Sequence, residues 1–248
     1  MIMKKTHLLT LALLAGATLL PGKMQAQEKY FTTPTAEAIP TDSEGFIHRW
    51  TVLEPISKPN RTNTVFTDSY LREVFNAEYF PKQMTILPKD GQKVKAKFEK
   101  MDMPRDFRRM NPADVKIETG TETLRWHKLD SRNYNVKLMR FGEHYNQRLY
   151  GVIYWAVTVI NCEEEMPNVR LSVGSNSASM WWVNGEETLL LSGDRRMVAD
   201  DAMSHRLTLK KGENILRGAI INGPGMSDFC VRFVTENGQP ITKGISIK

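Results

Sequence analysis

Apolar and polar residues alternate in short runs through the second half of this chain, and turn residues separate the runs. Successive strand side chains point to opposite faces, so a period of two predicts strands joined by tight turns. The pattern is densest over residues 172–233, where Asn184-Gly185 and Lys210-Lys211-Gly212 punctuate it. Strands are expected over 124–129, 135–141, 149–162, 169–173, 179–183, 187–191, 206–209, 214–221, 229–235 and 239–245. The run 149–162 is long and rich in Val, Ile, Tyr and Trp, which places it at the centre of a sheet. Asn184-Gly185 has the composition of a type I′ hairpin turn, where both positions need positive φ. Turns this short leave no room for crossover helices, which excludes a doubly wound α/β domain. The expected fold class is mainly β: an antiparallel jelly-roll β-sandwich with one short helix and a charged insertion.

The first half is less regular. Residues 27–45 carry little periodicity and look like an extended lead-in. Residues 45–56 are aromatic and β-branched and suit a first strand, ended by Pro55 and Pro59. Thr67 or Asp68 can cap a helix running to Phe80, with Tyr70, Leu71, Val74, Phe75 and Tyr79 on one face and Pro81 as the stop. Residues 88–123 are charge-dense and poor in apolar residues, as in Lys93-Val-Lys-Ala-Lys-Phe-Glu-Lys100, and read as an insertion or long mobile excursion. Three segments follow: 1–26 as a signal peptide, 27–123 packing on the sandwich, and 124–248 as its core.

Lys4 and Lys5 precede an apolar run of residues 8–20, and Met24-Gln25-Ala26 resembles a cleavage site, so the mature chain is expected to begin at Gln27. This predicts a periplasmic or secreted protein. The apolar run is too short to span a bilayer, and no other segment is long and apolar enough. The formal charge is +6. Cleavage removes Lys4, Lys5 and Lys23 and no acidic residue, leaving about +3, a mild balance that argues against a nucleic-acid binder. In residues 88–123 the interleaved Asp and Glu are expected to cancel the field of the Lys and Arg. Cys162 and Cys230 lie in strand-like runs; export permits a disulfide, buried thiols are the alternative, and the pairing is open.

The runs Ser179-Met-Trp-Trp-Val-Asn-Gly185, Leu209-Lys-Lys-Gly-Glu-Asn214 and Phe229-Cys-Val-Arg-Phe233, followed by Glu236-Asn-Gly-Gln-Pro240, resemble the galactose-binding-like β-sandwich of carbohydrate-binding modules and glycoside hydrolase sugar-binding domains. The likeness covers roughly residues 124–248. The whole chain is similar to exported proteins of gut Bacteroidetes-type bacteria, some labelled acetylxylan esterase. The resemblance implies an exported accessory protein of polysaccharide utilisation that binds a plant or host glycan. Alternation turns one ring of Trp181-Trp182 inward and the other outward, and the outward ring could stack on a sugar. The proposed contacts are therefore Trp181 or Trp182, with Asn184, Arg195 and Arg196 as polar partners.

Catalytic patterns are thin. No Gly-x-Ser-x-Gly elbow is present, and Gly174-Ser-Asn-Ser-Ala178 lacks the closing glycine. His48, His127, His144 and His205 are scattered. The expectation is a non-catalytic protein; the alternatives are an acetylxylan esterase using Ser175 or Ser177, and a cell-envelope interaction module with a protein partner. No cofactor is expected, though Asp194, Asp200 and Asp201 could together hold a structural calcium ion.

Overall fold

The computed structural model describes residues 29–59, 66–101, 116–222 and 225–248. The expected signal segment and cleavage site lie outside these residues. The strands are β1 (Phe31–Thr32), β2 (Arg49–Leu53), β3 (Ile56–Ser57), β4 (Lys93–Met101), β5 (Ile117–Ser131) and β6 (Val136–Lys137). There follow β7 (Val152–Cys162), β8 (Met166–Ser175), β9 (Ser179–Val183), β10 (Glu186–Leu191) and β11 (Ala202–Met203). The last are β12 (Leu207–Leu209), β13 (Gly212–Asn222), β14 (Asp228–Val234) and β15 (Ile245–Ile247). With them lie the helices α1 (Asp68–Asn76) and α2 (Leu138–His144).

The fold is a mainly antiparallel β-sandwich. The larger sheet runs β1-β5-β2-β7-β13-β9-β10, with β3 and β15 also pairing β7 and β4 pairing β5. The smaller runs β11-β8-β14-β6, with β12 pairing β8. From β7 onward the chain passes repeatedly between layers: β8, β11, β12 and β14 lie in the small sheet, and β7, β9, β10, β13 and β15 in the large one. The long apolar run does sit centrally, as β7 pairs β13 over its full length from Val152↔Asn222 to Cys162↔Gly212. Asn184 and Gly185 have φ of 54° and 88°, the left-handed pair that a tight hairpin requires.

The inner faces of the two sheets enclose the first core, which includes Trp50, Leu171, Val173, Trp181, Leu216, Phe229, Val231 and Phe233. Trp50, Trp181 and Phe229 meet edge-on, with centroids 5.0–5.9 Å apart. Gly218 makes room for Trp181, since a Cβ there would stand 2.4 Å from the indole ring.

A second core covers the other face of the large sheet. Leu53, Trp126, Trp155, Met180, Trp182 and Ala219 point outward from it and meet Leu71, Val74, Phe75, Tyr79 and Phe80 from α1 and the segment after it. The large sheet is therefore buried on both faces. Arg217, 2 % exposed, fastens this roof by donating to the carbonyls of Met84 and Ile86 at 3.0 and 2.5 Å. Burial pushes its guanidinium down to about 10.

Four expectations need correction. Helix α1 ends at Asn76 rather than Phe80. Ala77 is extended, and the Gln83 amide accepts from the Tyr79 N–H and donates to the Ala77 carbonyl. That turns Tyr79 and Phe80 into the core. Residues 135–141 hold a two-residue strand and the start of α2, whose buried Leu138 and Phe141 close one end of the first core. Residues 93–101 and 117–123 are paired strands, nine residues in continuous register from Lys93↔Arg125 to Met101↔Ile117; 102–115 lie outside the described residues. Finally, β2 lies between β5 and β7, so residues before 124 contribute strands to the main sheet. No described helix is long and apolar enough to cross a membrane.

Candidate functional site

The residues proposed from sequence do not converge. Trp181 is fully buried in the first core, and its indole N–H donates to Ser179 Oγ at 2.9 Å. Trp182 does face outward, as alternation requires, but it is 2 % exposed and stacks on Trp155 at 5.6 Å beneath the roof. Neither ring reaches the surface, so neither offers a sugar a stacking face. Asn184 is exposed, yet its amide bridges strands: it donates to Asn214 Oδ1 and accepts from the Ile215 N–H, each at 2.9 Å. Asn184 also borders a cavity of about 390 Å³ with Glu186, His205 and Arg206.

The loop 192–201 lies across the outer face of the small sheet. Arg195 is paired with Asp201 at 2.5 Å and donates to the Ser192 carbonyl. Arg196 is exposed. Asp200 accepts from Ser172 Oγ and from the Arg232 guanidinium, both on that outer face. The carboxylates of Asp200 and Asp201 thus each meet a guanidinium. Among the described residues no group of three or more His, Cys, Asp or Glu is placed to hold a metal ion.

Burial tends to raise the Asp200 carboxyl, but the bonds from Arg232 and Ser172 outweigh it and hold the group below the ordinary value. Its folded pKa lies beneath its unfolded one. The stabilisation is therefore present above about pH 4 and lost as pH falls through the folded value. Asp200→Asn is expected to lower stability by about 1–2 kcal/mol at pH 7, and the difference from the parent should shrink in urea titrations at successively lower pH.

Ser175 and Ser177 are buried. Ser175 Oγ donates to the Ser177 carbonyl at 3.2 Å and meets Ser179 Oγ at 2.9 Å; Ser177 is 2 % exposed and has φ of 59°. Neither hydroxyl has an imidazole partner among the described residues. His48 meets Asp42 Oδ2 and the Ser131 carbonyl, and His127 meets Glu54 while stacking on Tyr145 at 3.7 Å. Cys162 and Cys230 are unpaired and buried, one facing the first core and one the outer side of the small sheet.

A better candidate lies where sequence reasoning placed a loop. The β4–β5 ribbon and the end of α1 enclose a groove of about 610 Å³. Alternation along β4 turns Val94 and Ala96 into the second core and Lys93, Lys95 and Lys97 to the other side, and Lys97, Phe98 and Glu99 border the groove. Phe98 is half-buried and lies against Gly120, its register partner, where a Cβ would come within 2.8 Å of the ring. Lys100 Nζ sits 3.9 Å from the Phe98 centroid and 3.5 Å from Glu122.

Opposite stand Glu73, Val74, Ala77, Glu78 and Tyr79. The wall is fixed by main-chain bonding: the Lys97 N–H donates to the Tyr79 carbonyl at 2.8 Å, and Ser57 Oγ donates to the Glu99 carbonyl at 2.7 Å. Lys58 holds Glu99 at 2.5 Å. Burial, then Glu99, pushes the Tyr79 phenol well above its ordinary value, so it remains a neutral hydrogen-bonding group. The groove joins an apolar ring, carboxylates, an ammonium and threonine hydroxyls in a volume that fits a small oligomeric ligand. The alternation of Val94, Ala96 and Phe98 with lysines was the signal available in the sequence.

No family model matches the chain, and no curated protein matches it. Among solved structures, the PA14 domain of the antifreeze protein MpAFP is similar at a TM-score of 0.35 and 8% identity, over 88% of this chain and 94% of that one. A likeness that loose defines no family.

Proposed function

We propose that this protein is an exported, non-catalytic carbohydrate-binding module that serves polysaccharide breakdown. The observation that carries the reading is the groove between α1 and the β4–β5 ribbon, with half-buried Phe98 among Glu73, Glu78, Thr119 and Thr121. A sugar presents an apolar C–H face to an aromatic ring and hydroxyls to acceptors around it, and this lining supplies both. The passage of successive strands between the layers supports the jelly-roll, galactose-binding-like reading of the fold. The bonding of Ser175 and the burial of Ser177 favour binding over ester hydrolysis.

The test is calorimetric titration with neutral xylo-, manno-, gluco- and galacto-oligosaccharides. Saturable binding to at least one is expected. Phe98→Ala should weaken it roughly tenfold or more, since burying a Phe side chain contributes about 1.5–3 kcal/mol. Absence of binding across the panel, or binding indifferent to Phe98→Ala, would remove the groove from the argument.

A further inference from the structure

We infer that the solvent face of the β4–β5 ribbon is a second binding surface, for a polysaccharide bearing uronate carboxylates. The face adjoins the groove and shares Lys97, Thr119 and Thr121 with its lining, while Lys93, Lys95, Thr123 and Arg125 lie outside that lining and carry the inference beyond it. Lys93, Lys95 and Lys97 are exposed and share the side of β4 opposite Val94 and Ala96, which meet the second core. Their register partners on β5 are Arg125, Thr123 and Thr121, and partners across a sheet share a face. The face therefore shows four cations and an adjoining row of exposed threonines that continues to Thr119.

The acids that the sequence interleaves with these lysines lie elsewhere. Glu118 and Glu122 are the partners of Lys100 and Ala96, on the opposite face. Glu99 is on the basic face but is held by Lys58. Glu54, near Arg125, is taken by His127 and by the Arg125 N–H. None of the four cations has an ion-pair partner among the described residues. Alternation has thus sorted the charges, and the field is not cancelled as residue order suggests.

Lys93 directly opposite Arg125 is a like-charge pair, an arrangement unfavourable to the fold itself. An anionic occupant relieves it. Lysines two residues apart stand about 7 Å apart along the strand, with the threonine row about 5 Å to the side. One cation per step, with hydroxyls alongside, complements a polymer whose units each carry one carboxylate and several hydroxyls. The outward positions of the ribbon hold no aromatic ring for base stacking, which single-stranded nucleic acid binders use.

The experiment compares polygalacturonate, neutral dextran, dextran sulfate and duplex DNA by affinity electrophoresis and calorimetry. Polygalacturonate should bind and dextran should not. Binding should weaken roughly tenfold between 50 and 300 mM salt, because exposed charges are screened. The combined variant Lys93→Gln, Lys95→Gln, Arg125→Gln, which leaves the groove lining intact, should lose at least tenfold for polygalacturonate and keep its affinity for neutral oligosaccharides. Since these three residues are exposed, the triple variant should fold, with an unchanged circular dichroism spectrum as the check. Binding lost through Phe98→Ala and kept in the triple variant would overturn the inference. So would equal binding of DNA or dextran sulfate, which would show that the face reads charge alone.

Discussion

Trp182→Ala is expected to lower the unfolding free energy by about 3–5 kcal/mol, with or without a glycan present. The indole is sealed between the large sheet and its roof. It stacks on Trp155 with an interplanar angle of 14° and lies beside Arg217 across the β13–β9 ladder. Truncation removes that contact area and leaves a void among Trp155, Ala219 and the roof, whose segment at Met84 and Ile86 is anchored through Arg217 and resists collapse. A domain of ordinary stability has about 5–15 kcal/mol in hand, so the variant should approach its folding threshold. Urea unfolding followed by circular dichroism measures the change. Should the alanine variant not fold, Trp182→Phe keeps most of the apolar volume and is expected to lose about 1–2 kcal/mol. Unchanged stability with lost glycan affinity would reinstate the ring as a ligand platform.

The misplacement of this ring shows where residue order is informative. Alternation in Ser179-Met-Trp-Trp-Val183 does send neighbouring rings to opposite faces, and the structure obeys it. Alternation says nothing about what covers the outer face. In a two-layer sandwich that face meets solvent; here α1 and the 79–86 segment close over it. The signal for the cover was present in the apolar face of α1, because a helix with Leu71, Val74 and Phe75 on one side must bury them against something. Its docking place depends on contacts far apart in sequence, such as Arg217 with Met84 and Ile86.

The ribbon was lost for a related reason. High charge density in residues 93–100 suggested a loop, yet the charge has period two, and each inward position is Val, Ala, Phe or the long aliphatic stem of Lys100. Composition averaged over a window conceals this, whereas reading the two faces separately reveals it. The same averaging hid both the groove and the basic face. The chemistry of the 192–201 loop was misleading in the opposite direction. Its Asp and Arg residues look available in sequence, but Arg195 and Asp201 pair within the loop, and Asp200 pairs with Arg232 to hold the loop against the small sheet.

Gly174→Ala should detach that loop. Gly174 lies on the outer side of β8, opposite Cys230 of β14. A Cβ there would fall 1.8 Å from the Val198 carbonyl oxygen and 3.1 Å from Cys230 Sγ. The obstacle is backbone, so no rotamer change relieves it, and the loop must move outward by more than an ångström. That movement pulls Asp200 from Ser172 and Arg232. Overpacking alone costs about 1–3 kcal/mol, and the lost ion pair adds to it. Cys230 reports the event directly. In the native fold it is 1 % exposed, and burial pushes its thiol up to about 12, so thiolate reagents find almost none of the reactive form. With the loop displaced, Cys230 should be modified by a maleimide at least tenfold faster at pH 8, while Cys162, inside the first core, keeps its slow rate. Peptide mapping distinguishes the two thiols. Faster labelling of both at equal rates would mean general unfolding, and an unchanged rate at Cys230 would show that the loop does not depend on the missing side chain at Gly174.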